Sequence, residues 1–181
     1  MDTTRLMELA RYKITDNPYD YQAAHDYFEL LRIYADEGHA KQAHKLNKQV
    51  QDITAQGVQH KDIDTGVKFY ELHKRSLLFS ARDDFDSYMQ YIEFDREPEK
   101  RFYLPRRKII MPIVQSLQDV ADNKLDLLTI STPPGVGKST LGIFFLSWIM
   151  GKYPDQPNLA SAHSDKLTRS FYNGVLSVIT D

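Results

Sequence analysis

The sequence predicts an α/β chain, with a helical N-terminal region over residues 1–100 and, over residues 101–181, the first part of a three-layer α/β domain. Three observations carry this expectation. Apolar residues recur at helical spacing through most of the first hundred positions. A short apolar run with β-branched residues, Asp126 to Ser131, leads into a glycine-rich turn. That turn opens directly into an amphipathic helix, after which a second apolar run and a second helix follow.

The bulk properties restrict the classes available. The chain has 181 residues, of which 41% are hydrophobic and 27% charged, as in an ordinary globular protein. It has no cysteine, so disulfide frameworks, thiolate metal sites and cysteine nucleophiles are excluded. The longest apolar candidate, Leu141 to Met150, is far short of the roughly 18 residues that span a bilayer, so no membrane partner is expected. The N-terminal Met-Asp-Thr-Thr-Arg does not read as a secretory signal. Charge is unevenly placed: residues 1–100 carry 14 Lys and Arg against 19 Asp and Glu, and residues 101–181 carry 9 against 6. An acidic, glycine-poor front is thus followed by a basic, turn-rich back, with the boundary near residues 96–105, where Pro98 and Pro105 interrupt the pattern.

In the front region, Ala24, Tyr27, Phe28, Leu31, Tyr34 and Ala35 mark one face of a helix starting near Tyr21, which Gly38 terminates. A second helix runs through Ala43, Leu46, Val50 and Ile53 to Gly57. A third covers Asp64 to Phe79. Ser80, with Asp83 three residues on, reads as the N-cap of a fourth helix that buries Phe85, Tyr88, Met89 and Ile92. The histidines at 25, 39, 44, 60 and 73 have no metal-ligand spacing.

The back region carries the chemistry. Residues 126–131 read as a buried strand. Thr132-Pro133-Pro134-Gly135-Val136-Gly137-Lys138-Ser139-Thr140 then has the strand–turn–helix context that a phosphate-binding loop requires. Glycines at 135 and 137 permit positive φ and close approach of backbone N–H groups to an anion. The helix that begins near Lys138 adds its free N–H groups and positive dipole end. Pro134, Gly135, Val136, Gly137, Lys138, Ser139 and Thr140 are therefore the candidate cofactor-binding residues. Lys138 would reach the β- and γ-phosphates, Ser139 would ligate Mg²⁺, and Thr140 would add a contact to the α-phosphate. A chance Gly-x-Gly-Lys-Ser/Thr in a chain of this length is of order one in a hundred, given glycine's usual frequency. The full pattern places glycine six residues before the lysine, where this chain has Thr132.

Leu141, Phe144, Phe145, Trp148 and Ile149 line the helix after the loop, and Gly151 ends it. Asn158 to His163 reads as a second strand, and Ser164 caps a helix burying Leu167, Phe171, Val175 and Ile179. These helix faces are expected to pack on the sheet. Upstream, Phe102-Tyr103-Leu104-Pro105-Arg106-Arg107-Lys108 joins two aromatics to three cations, ahead of a helix interrupted by Pro112 and carrying Gln115 and Gln118. Phe102, Arg106 and Gln115 are the candidate residues on the adenine side, by stacking and by amide readout of a base edge.

Four segments, Ser80 to Phe94, Arg101 to Arg107, Thr132 to Thr140 and Asn158 to Tyr172, resemble the N-terminal part of the phage terminase large subunit. These proteins are ATP-driven motors that package viral DNA into proheads. The resemblance covers roughly residues 77–181. It implies an ASCE-type P-loop ATPase domain with ATP and Mg²⁺ as cofactors, followed in the family by a nuclease domain. It also implies double-stranded DNA, a portal protein and a small terminase subunit as partners. A homo-oligomeric ring, acting in the host cytoplasm and joined transiently to the prohead, is implied as well. Many terminases carry a basic residue just before the Gly-Lys; this chain has Gly135, Val136 and Gly137 there. The family's apolar strand ending in Asp-Glu matches no segment, so the chain reads as a truncated fragment without turnover of its own, and its catalytic residues stay unassigned. Two other readings stand beside this one. The loop also suits a nucleotide-binding module of a helicase-like or RecA-like protein. The acidic helical region 1–100 suits an interaction module that docks a small subunit or portal.

Overall fold

A computed structural model of the chain describes residues 3–180. It is 74% helical, and among the described residues there is no strand and no sheet. The α/β expectation, and with it the three-layer P-loop domain, is therefore corrected to an all-α fold. A strand exists only within a ladder of inter-strand hydrogen bonds, and neither 126–131 nor 158–163 finds one. The first segment keeps only the two-residue alternation of a strand: Leu128, Ile130 and Thr132 are half-buried, whereas Leu127, Thr129 and Ser131 are exposed. Residues 158–163 are exposed throughout.

The chain divides into two compact units, Met1–Ser80 and Ala81–Asp181. The first contains α1 (Thr3–Asp16), α2 (Tyr21–Tyr34), α3 (Ala40–Gly57) and almost all of α4 (Ile63–Ala81). Asp20 caps α2, its carboxylate accepting the Ala23 N–H at 3.0 Å. A π-helical turn over Ala35–His39, with Gly38 at φ 96°, separates α2 from α3. Ile14, Tyr27, Phe28, Leu31, Val50 and Phe69 form the centre of the core, each at most 1% exposed. Polar side chains are buried beside it. The Asn47 amide donates to the Ser76 carbonyl (2.7 Å) and to the Ser80 hydroxyl (2.8 Å), Gln51 donates to the same carbonyl (3.2 Å), and Thr54 Oγ1 pairs with His73 Nδ1 (2.8 Å). Ser80 is thus an interior residue of α4 and not an N-cap; Asp84 caps the next helix by accepting the Ser87 N–H at 2.7 Å.

The second unit contains α5 (Phe85–Glu93), α6 (Arg107–Ala121), α7 (Lys138–Lys152) and α8 (Asp165–Thr180), with 3₁₀ turns at Pro98–Lys100 and Leu104–Arg106. Its core joins Phe85 and Met89 from α5, Ile110 and Val114 from α6, and Leu141, Phe144 and Trp148 from α7. The Phe85 and Trp148 rings lie 5.0 Å apart, and the indole N–H donates to the Ala81 carbonyl at 2.8 Å. The Phe144 and Trp148 face, expected against a sheet, instead meets Phe85 of α5, at 5.0 Å from Trp148, and Phe102, at 6.2 Å from Phe144. On α8 only Val175 is fully buried; Leu167 and Ile179 are 47% and 54% exposed, against expectation.

Candidate functional site

The loop before α7 lacks the preceding strand expected of it, so the strand–turn–helix context is reduced to turn and helix. Gly135 and Gly137 both adopt positive φ, 82° and 94°. Gly137 is the left-handed N-cap of α7, and its carbonyl accepts the Leu141 N–H at 2.9 Å. The N–H groups of Lys138, Ser139 and Thr140 fall in the first helical turn, which has no acceptor within the helix. Lys138 turns back across the loop, and its ammonium donates to the Thr132 carbonyl at 2.7 Å. This contact links the two ends of the loop, residue 132 to residue 138.

The candidate residues are placed as follows. Pro134, Gly135, Lys138 and Ser139 are exposed, whereas Val136, Gly137 and Thr140 are half-buried. A cavity of about 190 Å³ lies under the loop, bounded by Phe102, Ile110, Ile130, Thr132, Val136 and Leu141 among others, with no carboxylate in its lining. The Thr132 hydroxyl is buried at its edge and has no hydrogen-bond partner among the described residues. Among those residues, no group of three or more His, Asp or Glu side chains is arranged to hold a metal ion. Ser139 is the side chain that the sequence offers to Mg²⁺.

Two of the three adenine-side candidates stand beside the loop. Phe102 packs on Gly137, where a Cβ would lie 2.1 Å from the Phe102 ring. The Arg106 guanidinium sits 5.6 Å above the same ring and donates to the Phe102 carbonyl at 3.2 Å. Gln115 is exposed on α6 and does not line the cavity. Gln118, one turn further along α6, joins that helix to the start of α5. Its amide oxygen accepts the Phe85 N–H at 2.8 Å, and its NH₂ donates to the Asp83 carbonyl at 3.0 Å.

Sequence reasoning missed the residues that hold Phe102. Glu93 is fully buried at the end of α5. Its carboxylate accepts three consecutive backbone N–H groups, those of Phe102 (2.8 Å), Tyr103 (2.8 Å) and Leu104 (2.9 Å). Asp86, two turns earlier on α5, accepts the Tyr103 hydroxyl at 2.6 Å and two Arg107 nitrogens at 2.8 and 2.7 Å. Burial, and then the Asp86 charge, push the Tyr103 hydroxyl above its usual range, so it stays neutral and donates. The Asp86 hydrogen bond holds Arg107 firmly in its charged form. Arg101 completes the set by donating to the Arg96 and Phe94 carbonyls at 2.7 and 3.0 Å, which closes the C-terminal end of α5. The only sequence signal was the concentration of charged residues within two aromatic segments, a pattern that a solvated helix surface shares.

No protein family, no curated protein and no solved structure matches the chain. The functional reading therefore rests on the loop and its supports.

Proposed function

We propose that residues 132–140 bind the triphosphate of Mg-ATP. The observation that carries this reading is the pair of positive-φ glycines placed directly before α7, with Lys138 folded across the turn they make. The segment supplies backbone N–H groups at a helix N-terminus and a lysine, and groups of these kinds together favour a multiply charged anion. Ser139, in the first turn of α7, is the side chain for the metal that accompanies the triphosphate. ATP and Mg²⁺ supply the transferable phosphoryl group and its charge neutralisation. The protein's residues bind and orient the triphosphate, and binding is the activity proposed for this chain. On the wider resemblance of residues 80–94, 101–107, 132–140 and 158–172, the chain serves as part of a DNA-packaging motor of the terminase large-subunit kind. Its partners would then be double-stranded DNA, a portal and a small subunit, within a ring in the host cytoplasm.

The test is a titration of Mg-ATP against the chain and against Lys138→Ala. A loss of affinity of about tenfold or more is expected, in line with a charge-assisted phosphate contact. Equal affinity for both proteins would overturn the phosphate-loop reading. The motor reading is tested separately, by ATP-sensitive co-sedimentation with a portal ring.

A further inference from the structure

The glycine turn does not stand alone; it leans on an aromatic ring, and that ring is anchored by a buried acid. The Phe102 ring lies so close to Gly137 that a Cβ there would meet Cε2 at 2.1 Å and Cζ at 2.8 Å. Phe102 also faces Phe144, with ring centroids 6.2 Å apart. Its backbone N–H is fixed by the Glu93 carboxylate at 2.8 Å. The next two N–H groups go to the same carboxylate, so the backbone at 102–104 is gripped at three successive points. Asp86 ties Tyr103 and Arg107 as well.

We infer that Glu93 is a positioning residue for the glycine turn and acts through Phe102: the buried carboxylate fixes the Phe102 backbone, and the ring sets the height and tilt of Gly137. Three consecutive N–H groups can satisfy one carboxylate only with the backbone held in a tight turn, which leaves the Phe102 side chain little freedom to move away. Gly137 is in turn the N-cap whose φ of 94° turns the loop into α7. The inference rests on the phosphate-loop reading for its affinity consequences but has its own geometric readout. It also differs from a base-stacking role for Phe102. A positioning ring matters to phosphate alone, whereas a stacking ring matters only when a base is present.

The experiment uses the full chain with Mg-ATP and, separately, inorganic tripolyphosphate, each titrated against the wild type, Phe102→Ala, Glu93→Gln and the double variant. Phe102→Ala is expected to weaken tripolyphosphate and ATP alike, by on the order of tenfold. Glu93→Gln should add nothing further once Phe102 is gone, because the two act in series. A Phe102→Ala variant that loses ATP but keeps tripolyphosphate would make the ring a base platform and overturn the inference. Additive losses in the double variant would overturn it too. The geometric readout needs no ligand. Gly137 Hα protons lie against the Phe102 ring and should show ring-current shifts. In Glu93→Gln those shifts should relax, while the Ile110 and Val114 amides keep their native positions. An unchanged Gly137 signal in folded Glu93→Gln would defeat the proposal even if no phosphate bound. Should Glu93→Gln fail to fold, Phe102→Ala decides on affinity: wild-type affinity for tripolyphosphate in that variant defeats the proposal. Absence of tripolyphosphate binding in the wild type would instead strike the phosphate-loop reading.

Discussion

Between α3 and α4 the first unit buries Asn47, Gln51, Thr54, His73, Ser76 and Ser80, a ladder of amides, hydroxyls and one imidazole. The second unit buries Glu93 and Asp86 and ties Asp86 to Arg107. The first arrangement leaves Asn47 Oδ1 buried without a hydrogen-bond partner among the described residues, as Tyr27 Oη on α2 also is. The second saturates both of its carboxylates with N–H and O–H donors. The difference teaches where each unit is vulnerable. Neutral ladders lose modestly when one member goes, whereas removing a buried carboxylate leaves several donors stranded at once.

The largest effect should follow Glu93→Ala. Three backbone N–H groups would lose their acceptor inside the second unit, at a cost of at least about 3 kcal/mol. Trp148 is the only tryptophan, buried in that unit's core, so its fluorescence reads this unit selectively. The fluorescence transition should move to markedly lower urea. A midpoint within experimental error of the wild type would break the contrast. Next comes Asn47→Ala, which removes the donor to Ser76 and Ser80 and should cost about 1–3 kcal/mol. Here protection of α3 and α4 amides from hydrogen exchange should fall while the Trp148 transition holds. If Asn47→Ala proved as severe as Glu93→Ala, the supposed difference in chemistry would be empty.

Tyr27→Phe is expected to act in the opposite direction. The hydroxyl is fully buried, has no partner among the described residues, and burial raises its pKa. Its removal should stabilise the first unit by up to about 1 kcal/mol. A clear loss of thermal stability would mean that this oxygen has an acceptor or donor after all. The smallest effect concerns acid. Burial pushes the Asp122 carboxyl up, but the Gln118 and Lys124 hydrogen bonds and the Lys152 and Lys124 charges outweigh it and hold the group below the usual carboxylate range. Its contribution is therefore complete above about pH 4 and is lost as pH falls through the lowered value. The group is part-exposed, so the loss should stay below about 1 kcal/mol. Asp122→Asn should flatten the pH dependence of the Trp148 transition in that window. An undiminished slope would place the acid sensitivity elsewhere.

The helices of the first unit were legible because their buried faces follow a 3.6-residue period through Tyr27, Phe28 and Leu31 and again through Ala43, Val50 and Ile53. Helix α1 was not, since its stripe of Met7, Ala10 and Ile14 is thin among polar residues. The turn was legible at Gly135 and Gly137, because glycine is the residue that enters positive φ without strain, and both take it. The strands were misread for a physical reason. Alternation at Leu128, Ile130 and Thr132 records one buried side, and the same record is left by a lone segment lying on helices. Glu93 was invisible for the opposite reason: nothing local distinguishes a glutamate facing three backbone N–H groups from one facing water.

Gly135 and Gly137 share a backbone region but not a neighbourhood, and this predicts how each position tolerates variation. Around Gly135 nothing stands within 4 Å of a built Cβ, so only its φ of 82° discriminates. Asparagine, which enters the left-handed region more readily than other side chains, should be accepted there in a saturation library. At Gly137 the φ of 94° and the Phe102 ring act together, and no side chain satisfies both. Glycine would therefore be retained at 137 on packing grounds in any protein sharing this aromatic support, whether or not it ever meets a nucleotide.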